Sequence, residues 1–137
     1  MADSPDKKNV VSGQQIIEMY NGKTRLWTDD DTMVGGAYMG GGGKFEGRWK
    51  NSVGIGKWYA TSQCSLCYEA KWKRSVEEAA TDIKRCWKHV TDSDGVLWKQ
   101  DPQTNDWYRP AKEFAERVRP GNKIAKDVRK LRQLCSF

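Results

Sequence analysis

CSLCYEAKWKRSVEEAATDIKRCWKHV, residues Cys64 to Val90, carries two strand patterns joined by a short polar connection. It holds three of the four cysteines and the only histidine. Successive side chains along a strand point to opposite faces. In the run ending at Lys73, Tyr68, Ala70 and Trp72 therefore share one face, and Cys67, Glu69, Lys71 and Lys73 share the other. In Lys84–Val90, Cys86, Lys88 and Val90 share a face, with Trp87 and His89 opposite. If the two runs pair antiparallel, Cys67 and Cys86 lie side by side on one face and the aromatics fall on the other. A helical turn over Val76–Ile83 is expected in the connection between them.

The pattern repeats on both sides of this hairpin. Lys23–Thr28, Gly35–Met39, Lys44–Lys50 and Gly54–Ser62 read as strands before it, and Gly95–Gln100 and Asp106–Arg109 as strands after it. Turn residues stand between them at Asp29–Asp31, Gly40–Gly43, Asn51–Gly54 and Pro102–Asn105. Gly47-Arg48-Trp49 and Gly56-Lys57-Trp58 echo one another, and glycine in a strand marks curvature or close chain approach. Seven or eight short strands at near-regular spacing predict an antiparallel barrel or strongly curled sheet.

Apart from that turn, helices are expected at the two ends. Ser12 is placed to cap a helix over Gly13–Tyr20, which Asn21-Gly22 ends. Pro110 opens a short helix that Pro120-Gly121 breaks. In Lys123–Leu134, Ile124, Val128 and Leu131, followed by Cys135, make one apolar stripe opposite a basic side. The chain is thus expected to divide into a flexible N-terminus (1–11), a β domain (12–109) and a basic helical extension (110–137) packed on it.

At 137 residues and 37% hydrophobic content, one domain with a modest core is expected, built largely on its 7 tryptophans. No apolar run is long enough for a membrane-spanning helix. Met1–Pro5 reads as an initiator set before a processed, polar N-terminus, from which an export signal has been removed. The formal net charge of +6 resides in Arg109–Phe137, which carries nine basic residues and three acidic ones. An even cysteine count in a small basic protein fits an oxidising compartment. The pairing expected is Cys67 with Cys86 and Cys64 with Cys135.

The order GQQIIEMYNGKTRLW, GGAYMGGGGKFEGRW, GKWY, LCYEAKW, CWKHV and LWKQ resembles a family of small exported bacterial proteins catalogued as domain of unknown function nine-nine-five. The resemblance covers Ser12–Tyr108 and rests on Tyr20, Gly22, Lys23, Thr24, Trp27, Tyr38, Gly47, Trp49, Cys67, Trp72 and Cys86. It implies export and a mostly β fold, and no activity. Cys64, Cys135 and the basic tail look like departures from the family core.

Other chemistries were weighed against these residues. Cys64, Cys67, Cys86 and His89 match the donor count of a tetrahedral zinc site, but residues three apart on a strand point to opposite faces. The Cys64-x-x-Cys67 pair lacks the following helix of a redox motif. Nucleophilic catalysis would have to use His89, with no Gly-x-Ser-x-Gly elbow. Gly35–Gly43 lacks the Gly-Lys-Ser/Thr and helix of a phosphate loop. The alternation of Trp with Lys is the ordinary output of one buried and one wet face, so nucleic acid is not the expected partner.

The expectation is a non-enzymatic binding module of the bacterial envelope, without a cofactor or metal. Its basic surface, Lys123, Lys126, Arg129, Lys130 and Arg132 with Arg117 and Arg119, would face an acidic protein, a cell-wall polymer or an anionic lipid surface. The alternatives are a β-barrel that encloses a small ligand, and an inhibitor that inserts the Gly40–Gly43 or Thr91–Gly95 loop into a secreted enzyme.

Overall fold

The computed structural model describes residues 4–29 and 32–137. Ten strands form one antiparallel sheet: β1 (Asn9–Val10), β2 (Lys23–Asp29), β3 (Thr32–Met39), β4 (Lys44–Trp49), β5 (Ser52–Ala60), β6 (Ser65–Lys73), β7 (Thr81–Thr91), β8 (Leu97–Gln100), β9 (Trp107–Tyr108) and β10 (Val118–Pro120). Nine follow the path β10-β2-β3-β4-β5-β6-β7-β8-β9, and β1 pairs off that path with the end of β7. Three helices complete the fold: α1 (Gly13–Tyr20), α2 (Ala111–Arg117) and α3 (Ala125–Leu134). The sheet is a strongly curled half-barrel.

The curl has a local cause. A Cβ on Gly47 or Gly54 would fall 2.6 Å or 2.5 Å from the Trp72 ring. The two bare backbone positions let this indole lie flat across β4 and β5. At Gly56 a Cβ would run into the Glu69 carbonyl of the neighbouring strand. Three glycines on one face therefore allow bulk to be concentrated in a few large rings and the strands to coil inward.

Pairing registers put one set of side chains on the concave face throughout. Trp58 opposes Tyr68, Gly56 opposes Ala70 and Gly54 opposes Trp72. Across the next seam Leu66 opposes Trp87, Tyr68 opposes Arg85 and Ala70 opposes Ile83. Residues directly opposite share a face, so the concave surface across these seams is lined by aromatics, with Arg85 among them. Phe45 and Tyr68 stack at 4.3 Å, and Trp27 stacks on Trp72 at 6.1 Å.

α1 plugs one end of this half-barrel. Ser12 and Gln15 form a reciprocal capping box. Gly22, at φ 71°, supplies the left-handed turn that returns the chain into β2. Ile16 and Tyr20 are buried in the core.

α2 spans the gap between the sheet's two edges. The chain leaves edge strand β9, turns through α2 and re-enters as β10, which pairs with β2. α3 lies on the convex face, where Ile124, Val128 and Cys135 pack with Val53. The expected separate C-terminal extension is therefore drawn differently: β10 is a strand of the sheet itself.

Other boundaries differ from the sequence reading. There are more strands than seven or eight, because β1 and β10 are too short to show alternation. Residues 9–10, assigned to a flexible end, pair with β7, and Val11 is buried. Val76–Ile83 holds no helical turn: Thr81–Ile83 already belong to β7, and Ile83 opposes Ala70 on the concave face. The expected Asp29–Asp31 turn begins at Asp29, the last residue of β2, and continues on residues 30–31, outside the described residues. Met1–Asp3 also lie outside them.

Candidate functional site

A cup opens at the end of the half-barrel opposite α1. Its outer cavity has a volume of about 520 Å³, between Trp27, Trp49, Trp72 and Trp87 with Tyr68 as floor. A deeper compartment of about 200 Å³ continues inward past Trp27, Tyr68 and Trp87 to Trp58, Met39 and Lys99. Arg25, Trp27, Tyr68, Trp87 and Asp101 line both, so the two compartments adjoin. The side chains come from β2, β4, β5, β6 and β7, and Arg117 reaches the outer cavity from the last residue of α2.

The buried indoles differ in how they are satisfied. Trp58 donates its N–H to the Gly40 carbonyl at 2.8 Å, and Trp98 donates to Asp92 at 2.9 Å. The Trp72 N–H is buried and finds no acceptor among the described residues. An unpaired buried donor costs on the order of 1–3 kcal/mol, and this one belongs to a ring that lines the outer cavity.

Beneath the cup lies a polar cluster. Glu113, on α2, pairs with Arg25 of β2 and, at 3.3 Å, with Lys99 of β8. Burial, with the Glu113 charge beside it, pushes the Tyr108 hydroxyl of β9 well above its usual range. One carboxylate therefore ties both edges of the sheet to the helix that bridges them. Burial works against its charge, but Lys99 and Arg25 outweigh that and hold the carboxyl below its usual range. Burial lowers the Lys99 ammonium to about 8, with Glu113 opposing. The same ammonium sits over the rings of Tyr20 and Trp87, at 5.3 Å and 5.6 Å.

His89 lies at the closed end. Its Nδ1 is 2.8 Å from the Trp87 carbonyl, which can only accept, so Nδ1 carries the proton and donates. Burial, helped by the Lys99 charge, lowers its pKa to about 4. The neutral ring therefore accepts the Tyr20 hydroxyl proton at Nε2, over 2.8 Å. Both ring nitrogens are satisfied, and His89 is an anchor for α1 and not a free base.

Cys67 and Cys86 are directly opposite in register and joined by a disulfide on the convex face. Cys64 and Cys135 are buried free thiols, so the expected second bridge is not made. The register gives the reason. Cys64 precedes β6, while the Cys135 carbonyl accepts a hydrogen bond from Lys73 at the far end of that strand. Nine strand residues at about 3.3 Å each separate the two ends. A four-ligand zinc site from Cys64, Cys67, Cys86 and His89 is likewise not assembled, since two of the sulfurs are bonded to each other and His89 faces the concave side.

The basic residues expected to form one surface are divided. Lys123, Lys126, Arg129, Lys130 and Arg132 are exposed on or beside α3. Arg119 is half-buried on β10 and donates to the Ala115 carbonyl. Arg117 lines the cup on the other face of the sheet. Sequence reasoning missed Arg25, Arg85, Lys99 and Glu113 as site residues. Arg85 was within reach, since it alternates with Ile83 and Trp87; Glu113 was not, because nothing local shows that α2 bridges the sheet edges.

The fold and site define a class: a disulfide-tied antiparallel half-barrel, plugged by a helix at one end and open to an aromatic cup at the other. The chain belongs to the family described as "Protein of unknown function (DUF995)", whose family model matches residues 1–132. The match extends well beyond Ser12–Tyr108, so α2, β10 and most of α3 fall inside the family, and Cys135 lies just past it. No curated protein and no solved structure matches the chain. No helix among the described residues is long and apolar enough to cross a membrane. With the disulfide, this is compatible with a secreted protein.

Proposed function

We propose that this protein is a non-enzymatic carrier or sensor that binds a small, largely apolar molecule in the cup. The observation that carries the reading is the continuous aromatic-lined cavity, about 520 Å³ at the mouth with about 200 Å³ beneath it. A void of this size lies within the range of small-molecule sites, and its apolar walls supply affinity through burial. The charged groups of the inner compartment are engaged, Arg25 and Lys99 with Glu113 and Asp101 with backbone N–H groups, which favours binding over turnover.

The test is direct. N-phenyl-1-naphthylamine, a neutral probe that brightens on leaving water, is expected to bind the folded protein and saturate. Ile83→Trp, which fills the cup from β7, abolishes that binding while the circular dichroism spectrum stays unchanged. Binding that survives this substitution would place the probe elsewhere and reject the reading.

A second reading is favoured by one observation. The outer side of α3 presents Lys126, Arg129 and Lys130, with Lys123 just before it, and its only ion pair among the described residues is Asp127 with Arg48. That surface suits an acidic protein, a cell-wall polymer or an anionic lipid surface of the bacterial envelope. Attachment of this kind weakens with salt over the Debye range; equal capture at low and high salt counts against it. The disulfide and the family resemblance support a periplasmic or secreted location. Full disulfide formation in a periplasmic fraction, against reduced thiols in the cytoplasm, would test this.

A further inference from the structure

We infer that the cup selects an anion: a flat aromatic or amphipathic acid whose head group meets Arg85. The inference rests on the cup being a ligand site and names the ligand's chemistry. Among the described residues that line the two compartments, four cations (Arg25, Arg85, Arg117 and Lys99) face two carboxylates, Asp101 and Glu113. Arg25, Arg85 and Lys99 alone outnumber those two carboxylates by one, inside low-dielectric walls that concentrate the field.

The carboxylates are already engaged. Glu113 is held between Arg25 and Lys99. Asp101 accepts the backbone N–H groups of Gln103, at 2.7 Å, and Thr104. Arg85 has no carboxylate partner among the described residues; its guanidinium donates to the Lys84 carbonyl at 3.1 Å. It sits on the concave face directly opposite Tyr68, between Ile83 and Trp87 on its own strand. An arginine on the aromatic side of a strand, where its neighbours two residues away are apolar, is placed where a core position would take a hydrophobic residue. Its planar fork matches a carboxylate, sulfonate or phosphate in two parallel hydrogen bonds. The aromatic rings of Trp27, Trp72 and Trp87 would enclose the flat body.

The experiment uses a matched pair, 1-naphthaleneacetic acid and 1-naphthaleneacetamide, each competing with N-phenyl-1-naphthylamine on the full chain. The acid is expected to displace the probe roughly tenfold or more better than the amide, the scale of one charge-assisted hydrogen bond. Arg85→Gln removes that preference, read as the ratio of acid to amide displacement on the variant itself, and Arg85→Lys restores part of it. Lys88→Gln, on the convex face, leaves it intact. Equal displacement by acid and amide, displacement by neither, or a preference that survives Arg85→Gln overturns the inference. Failure of the neutral probe itself to bind is a separate result, which rejects the cup as a site.

Discussion

At the scale of the residue, His89 makes the fold sensitive to acid. Its folded pKa of about 4 lies below the usual 6.5, so the unfolded chain binds the proton first. Stability is then complete above about pH 6.5, falls as pH drops below it, and stops falling from this source near pH 4. At pH 5 the loss amounts to about 2 kcal/mol. The shifted carboxylates Asp6, Glu69, Asp92 and Glu113 are all held below their usual values and titrate lower still, so the interval from 6.5 to 5 isolates the histidine. Urea midpoints measured across that interval should decline for the native chain and stay level for His89→Gln. Gly54 makes a second prediction at this scale. Gly54→Val drives a side chain into the Trp72 ring and should cost about 1–3 kcal/mol, read from the same denaturation curves. The sequence signalled close approach at Gly47 and Gly56, while Gly54 read as the end of a turn. It carried no signal for His89, whose burial follows from α1 closing the end of the barrel.

At the scale of the element, α2 is the keystone. β9 and β10 do not pair, and the helix between them closes the seam with one buried carboxylate. Glu113→Gln leaves Lys99 buried, at 4% side-chain exposure, without its counter-charge. Loss of one partner from a buried pair costs about 3–5 kcal/mol. The variant should unfold at markedly lower urea, with amide exchange in β2 and β8 accelerated more than in β4 or β5. A uniform change across the sheet would contradict the seam role. Local pattern revealed most elements: the capped α1, the β6–β7 hairpin and the apolar stripe of α3 all follow from spacing. It failed where tertiary contacts decide. A two-residue strand such as β1 has no period to detect, and β10 ends on Pro120 beside a helix breaker.

At the scale of the whole molecule, the disulfide and the open cup set the properties that matter. Titration of denatured, unreduced protein with a thiol reagent should find two thiols, from Cys64 and Cys135, and four after reduction. Reduction should lower stability by roughly 3 kcal/mol, since the bridge closes a short loop in the unfolded chain. The curled β body and the Cys67–Cys86 contact were legible from alternation alone. The second bridge was not, because sequence distance does not show that Cys64 and Cys135 sit at opposite ends of β6. The site was legible only in part: tryptophan alternating with lysine along the strands implied a buried aromatic face, but whether that interior is filled or hollow depends on how far Gly47, Gly54 and Gly56 let the sheet curl. The central claim is that it is hollow and takes a ligand. Energy transfer from the cup tryptophans to bound N-phenyl-1-naphthylamine tests it most directly. Sensitised probe emission that saturates at one probe per chain and vanishes in Ile83→Trp is the predicted result; a folded protein that gives no sensitised emission at any probe concentration would contradict it.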